Sequence, residues 1–156
     1  MREPTAEYWF IFYGHYIVLT KNNYQPPLSA CLEGLKPYFI RQHALILPDN
    51  INYYCAEIDV EVDLMDELLL VPLRQALDLM SQEWHAAAAK AFAIINWDRN
   101  HQFCGRCGNA TRFNSPAFER VCSVCKLLFY PRLSPSVIVL IKKEDHILMA
   151  RGAHFP

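Results

Sequence analysis

Four of the six cysteines fall into two pairs, Cys104-Gly-Arg-Cys107 and Cys122-Ser-Val-Cys125, with fourteen residues between them. A C-x2-C turn brings two sulfurs to one point, and two such turns at this distance can face each other across one tetrahedral divalent ion. Gly105 and Gly108 supply the permissive backbone that these turns need. Four thiolates complete the shell of Zn2+ and leave no place for water. The expected role is therefore structural, with metal binding of on the order of 10 kcal/mol holding a segment too small to build its own core. The stretch from Phe103 to Tyr130 reads as a zinc ribbon on these grounds.

Other uses of the same sulfurs fit the sequence less well. Two disulfides call for an oxidising compartment, whereas the N-terminus Met-Arg-Glu-Pro-Thr-Ala-Glu lacks the basic and apolar regions of a secretory signal. A redox dithiol needs only one pair. An iron-sulfur centre could take the same four ligands. His101 lies three residues before Cys104, but a shell of four thiolates has no room for it. Cys31 and Cys55 stand alone in apolar or aromatic surroundings and read as small core residues.

The elements around the ribbon follow from pattern. Tyr8 to Leu19 is dense in aromatic and β-branched residues, broken once by Gly14, and predicts two strands or one long bulged strand serving as core. No basic residues are interleaved there, as a base-stacking platform would require. Lys21 to Pro27 is a turn-rich connection. His43 to Leu47 and Asn52 to Ile58 predict two more strands around a turn at Pro48-Asp49-Asn50. After Asp59 the period changes. Leu73, Ala76, Leu77 and Met80 recur at helical spacing behind Pro72, and Ser81 is placed to cap a longer helix through Trp84, Ala88, Ala91, Phe92, Ile95 and Trp97. The acids Glu57, Asp59, Glu61, Asp63, Asp66 and Glu67 read as charges on a solvated strand or loop. Behind the ribbon, Ser136 to Ile141 is apolar enough for a strand buried on both faces. Lys142 to Asp145 then makes a charged turn, and His146 to Ala150 pairs back.

The expected class is α+β, in three parts: an N-terminal β-rich and helical domain over 1–98, the zinc ribbon over 99–132, and over 133–156 the opening hairpin of a further α/β domain. With 156 residues, 53% hydrophobic and 20% charged, the chain can bury a sizeable core. Fifteen basic against sixteen acidic residues give no overall pull toward nucleic acid or an acidic membrane. No apolar run approaches the roughly 20 residues that span a bilayer, so no membrane association and cytoplasmic residence are expected.

The ribbon and its flanking words, Trp97-Asp-Arg-Asn-His-Gln-Phe-Cys-Gly-Arg-Cys-Gly108, Phe129-Tyr-Pro-Arg132, Pro135-Ser-Val-Ile-Val-Leu140 and Ile147-Leu-Met-Ala150, resemble the NADH pyrophosphatases of the Nudix hydrolase superfamily. The resemblance implies hydrolysis of NADH or NAD to nicotinamide mononucleotide and AMP, removal of NAD caps from RNA, and a homodimer. It also implies a catalytic Mg2+ or Mn2+ held by the carboxylates of a Nudix signature. That signature, Gly-x5-Glu-x7-Arg-Glu-x2-Glu-Glu-x-Gly, does not occur in these residues. Gly152-Ala-His-Phe-Pro156 resembles the segment that precedes it, so these residues by themselves are expected to be inactive and to contain no catalytic residue. The family match places Tyr130 and Ile138 around the nicotinamide and Arg74 near phosphate, while Ala117 stands where relatives often carry an acid. The alternative functional class is a stand-alone zinc-ribbon module that binds nucleic acid or a protein partner.

Overall fold

A computed structural model of the chain describes residues 6–47, 51–59, 66–114, 118–132 and 134–154. The alternation of one strand sets its layers. In β1 (Glu7–Tyr13), Phe10 and Phe12 point to one side of a sheet and Trp9 and Ile11 to the other, as the two-residue period of a strand requires, and all four are buried. A strand with both sides covered must lie in the middle. β1 does so, between β4 (Asn52–Ile58), to which it runs parallel, and β2 (Tyr16–Thr20), to which it runs antiparallel. With β3 (Phe39–Leu45) and β5 (Leu68–Pro72) at the edges, the order is β3-β4-β1-β2-β5.

The first aromatic run is therefore two strands. They turn at Gly14, whose φ of +57° belongs to the left-handed region that glycine enters at little cost. A Cβ added at Gly14 would meet nothing within 4 Å, so only backbone strain opposes substitution. Gly14→Ala is expected to cost about 1 kcal/mol in urea-induced unfolding. An unchanged midpoint would mean that the turn relaxes freely.

Both helices pack on the Phe10 face of the sheet. α1 (Leu73–Leu79) makes two turns with Pro72 at its N-cap. The buried residues of α2 (Gln82–Asn100), namely Trp84, Ala87, Ala88, Ala91, Ile94, Ile95, Trp97 and Asp98, trace one stripe at helical spacing. Its three alanines let the helix axis approach Phe12, Tyr53 and Cys55 closely. Burial there pushes the Cys55 thiol up to about 12, and the sulfur behaves as a small apolar group, whereas Cys31 is only half-buried. Ser81 sits at the N-cap of α2 with extended backbone, but its hydroxyl donates to the Glu83 carboxylate at 2.8 Å and caps no backbone N–H. Against the opposite face, Trp9, Ile11, Val18, Ala56, Ile58 and Leu68 pack with Leu32 and Leu35 from the β2–β3 connection.

Three further expectations change. The predicted strand Ser136–Ile141 is extended chain outside any sheet, and its side chains face solvent: Val137 is 83% exposed and Ile138 wholly so. An apolar run forms a buried strand only where neighbouring strands and a covering layer exist, and the described residues offer this one neither. The hairpin that follows is short, two residues a side, and β9 (Lys142–Lys143) uses residues expected in the turn to pair with β10 (His146–Ile147). Glu57 is no solvated charge: it is 5% exposed and ion-paired to Arg41 and Arg99. The expected turn at 48–50, the acids Glu61 and Asp63, and Ala117 lie outside the described residues.

Candidate metal centre and its anchorage

The ribbon is a three-stranded antiparallel sheet, with β6 (Thr111–Asn114), β7 (Glu119–Cys122) and β8 (Leu128–Phe129) in chain order. Two turns precede and interrupt it. In the first, the Gly108 amide donates to the Cys104 carbonyl at 2.8 Å, with φ of +74° at Gly108. In the second, the Cys122 amide donates to Leu127 at 2.9 Å, and Lys126 takes the left-handed conformation. The Ser123 amide and hydroxyl both donate to the Ala110 carbonyl, fastening one turn to the other.

These turns bring Cys104, Cys107, Cys122 and Cys125 together, with all four sulfurs within 4.8 Å of one another. Cys104 and Cys125 are 3.5 Å apart and Cys107 and Cys122 3.4 Å. A disulfide is about 2.05 Å long, so none of these pairs is bonded, and the six cysteines are free thiols. A zinc ion with bonds of about 2.3 Å to four tetrahedral sulfurs would space them by about 3.8 Å, close to what is seen. The surroundings suit thiolates as well. Arg106 and Cys125 amides donate to Cys104 and Cys122, each at 3.4 Å, and Asn109 Nδ2 reaches Cys107 at 3.5 Å. Hydrogen bonds from Asn109 bring Cys107 down to about 6, and backbone amides lower Cys122 despite its desolvation. At Cys125 the Leu127 amide lowers the pKa, but burial and the three other sulfurs outweigh it and push the thiol up to about 11. Crowded sulfurs with amide support are what a divalent cation would neutralise. His101 takes no part: its Nδ1–H donates to the Trp97 carbonyl at 2.7 Å, and its ring packs on Trp97 and Phe129.

The ribbon is tied to the sheet domain by a buried charge cluster centred on Asp98, in the last turn of α2. Asp98 Oδ1 accepts from Arg120 Nη1 of β7, and Oδ2 accepts from His43 Nε2 of β3 at 3.0 Å. Arg120 is held further by Thr111, whose Oγ1 accepts from Nε at 2.7 Å and whose carbonyl accepts from Nη2 at 3.1 Å. Gln102 Nε2 donates to the Asp98 carbonyl at 2.6 Å, closing the helix end. Arg41 approaches Asp98 at 3.6 Å and pairs with Glu57, which also binds Arg99. Burial disfavours the Asp98 carboxylate, yet the His43 hydrogen bond and the Arg120 charge prevail and hold its pKa below the usual aspartate range. Phe113 of β6 packs against the His43 ring at a tilt of 51° with centroids 4.4 Å apart, so apolar contact and ion pairs share one seam. Sequence pattern gave no sign of this seam, since Asp98, Arg120 and His43 each look like ordinary polar positions.

The residues that the family resemblance picked out do not converge. Tyr130 leaves the ribbon half-exposed and lines an apolar groove of about 770 Å³ with Ile46, Ala93, Ile94, Phe118 and Arg132. Glu119 beside its hydroxyl raises its pKa. Arg74 is exposed on the first turn of α1, and Ile138 lies in the solvent-facing segment. Among the described residues no hydrogen bond or ion pair joins either to Tyr130.

Comparison with known proteins agrees with this architecture. Residues 6–97 match the model of the NADH pyrophosphatase-like rudimentary NUDIX domain, and residues 99–130 that of the NADH pyrophosphatase zinc ribbon domain. The NAD-capped RNA hydrolase NudC of Chromobacterium violaceum is 30% identical over 151 residues, 96% of this chain and 54% of that protein. The mouse mitochondrial NAD(P)H pyrophosphatase NUDT13 is 35% identical over 129 residues, 83% of this chain and 36% of that one. NudC of Pseudomonas aeruginosa is 38% identical over 104 residues, 65% of this chain and 36% of its own. The chain thus spans about half the length, or less, of these curated relatives. With a family model covering more than half its residues and the ribbon following directly behind, the chain belongs to the NADH pyrophosphatase family, as its rudimentary NUDIX domain joined to its zinc ribbon.

Proposed function

We propose that this chain is the N-terminal and zinc-ribbon portion of an NAD(H) pyrophosphatase, which hydrolyses NADH or NAD to nicotinamide mononucleotide and AMP and takes NAD-capped RNA as a further substrate. The observation that carries the reading is the four-sulfur centre in the ribbon, fastened through Asp98 and Arg120 to a rudimentary NUDIX domain. Cys104, Cys107, Cys122 and Cys125 hold a structural Zn2+, whose contribution is to fix the two turns and so the ribbon sheet. In the whole enzyme Tyr130 and Ile138, which stand apart in these residues, enclose the nicotinamide, and Arg74 meets phosphate. A homodimer and cytoplasmic residence belong to the same reading. No helix among the described residues is long and apolar enough to cross a membrane.

The catalytic carboxylates and their Mg2+ or Mn2+ belong to a Nudix signature, which these residues do not contain. Such an ion neutralises the pyrophosphate and activates the attacking water. The 156 residues alone should therefore release no AMP from NADH. Joined in frame to the C-terminal part of the Chromobacterium relative, they should support Mg2+-dependent release of nicotinamide mononucleotide, followed by chromatography. In that chimera Tyr130→Ala should lower kcat/KM about tenfold, the scale of one lost aromatic contact. A folded, zinc-loaded chimera without activity would contradict the reading, and so would hydrolysis by the 156 residues alone.

A further inference from the structure

The outer surface of the ribbon carries chemistry used by neither the metal centre nor the seam with α2. Residues 99–132 hold six of the fifteen arginines and lysines but one of the sixteen acids, Glu119, so the near-neutral total conceals a basic ribbon on an acidic partner domain. Arg99 and Arg120 turn inward to Glu57 and Asp98. Arg106, Arg112, Lys126 and Arg132 are exposed, and among the described residues none forms a salt bridge. Lys126 Nζ donates to the Ser123 carbonyl at 2.9 Å and keeps its remaining protons for solvent.

Apolar surface lies beside these cations. Phe113, Phe118 and Phe129 pack against neighbouring rings, but Phe103 is 70% exposed and Val124 61%. The Phe103 backbone is pinned by its bridge to Ala110, so the ring is presented from a fixed frame. Phe103, Arg106, Val124 and Lys126 each adjoin a cysteine of the cluster, and the same four sulfurs therefore set their spacing.

An exposed aromatic ring among unpaired cations suits a single-stranded nucleic acid, whose bases stack on the ring while its phosphates meet the charges. A duplex keeps its bases stacked within and has no use for the ring. A protein partner fits less well, because the centre of a protein interface is depleted of charge, whereas here cations alternate with the apolar residues. We propose that the knuckle end of the ribbon binds single-stranded RNA, with Phe103 stacking a base and Arg106 and Lys126 pairing with phosphates. This deepens the capped-RNA part of the function proposed above by naming where the RNA body lies.

The test uses a fluorescein-labelled, uncapped RNA of about twelve nucleotides, long enough to cover such a site, and the zinc-loaded 156-residue chain. Fluorescence anisotropy is read between about 50 and 200 mM KCl. Saturable binding that weakens with salt is expected. Phe103→Ala should weaken it roughly 5- to 150-fold with little change in salt dependence. Arg106→Ala with Lys126→Ala should reduce the log–log salt slope by about 1.4, the share of two phosphate contacts on a single strand. Lys21→Ala, on the sheet domain, should bind as the parent does. Zinc content equal to the parent's shows that each variant keeps its fold. No saturable binding, wild-type affinity in both ribbon variants, or equal affinity for a duplex of the same sequence would overturn the proposal. Because the RNA is uncapped and nothing is hydrolysed, that failure leaves the pyrophosphatase reading standing, and an inert chimera leaves this surface standing.

Discussion

Asp98→Ala should lower the stability of the chain by about 3–5 kcal/mol, read from the urea midpoint. The effect follows from what remains: Arg120, 6% exposed, would keep its charge in the interior without a counterion, and the His43 Nε2–H would lose its acceptor. Removing one member of a buried pair costs more than the pair contributes, since the lone ion still lacks water. Asp98→Ala combined with Arg120→Met should therefore destabilise less than the sum of the single changes, because no buried charge is stranded. Additive effects would show that the two residues are not coupled. The pH dependence has a definite sign. The folded-state pKa of Asp98 lies below its unfolded value of about 3.9, so the stability it confers is complete above that value and is lost as pH falls through the lower folded pKa. The parent should lose stability below about pH 4 more steeply than Asp98→Ala does.

The second large effect concerns the metal. Cys122 is fully buried between the two turns, and a serine there replaces a soft thiolate by a hydroxyl that zinc binds poorly. Cys122→Ser, or removal of zinc by a strong chelator, should unfold the ribbon, forfeiting on the order of 10 kcal/mol of metal binding free energy. The sheet domain, with its own core of Phe10, Phe12, Ile17, Leu19 and the α2 stripe, should stay folded. Amide exchange separates the two regions: protection should vanish at Thr111–Asn114 and Glu119–Cys122 while persisting in β1 and β4. Equal protection with and without metal would show that side-chain packing alone holds the ribbon.

What could be read from sequence and what could not divides on a physical line. The four cysteines were legible because each C-x2-C turn is local and the metal fixes how two such turns meet. α2 was legible because its buried stripe repeats at the helical period over five turns. β1 and β2 were legible from their aromatic and β-branched runs about Gly14. The Asp98 seam was not, because it joins positions 22 and 55 residues apart, and a charge destined for burial carries no local mark. Glu57 shows the same difficulty, since alternating acids suggested a wet strand and only the approach of Arg41 and Arg99 reveals a buried ion pair. β5 was overlooked because Leu68 to Val71, four apolar residues ahead of a proline, fit a strand and a helix start equally well. Ser136–Ile141 failed in the opposite direction. Its composition describes a buried strand, but burial is a property of the neighbours, and the described residues provide none.

The basic ribbon was hidden by summation. A net charge of −1 suggests indifference to nucleic acid, yet the charges are sorted along the chain, and only their exposure on the turns and strands of the ribbon shows that four cations are available to a ligand.

The central claim is that four thiolates grip one divalent zinc and thereby fix the ribbon against the end of α2. Native mass spectrometry of the purified chain tests it most directly. One zinc per chain is expected, lost together with ribbon structure on acidification. A chain that carries no metal when purified under reducing conditions, or whose mass shows the four cysteines joined as two disulfides, would contradict it.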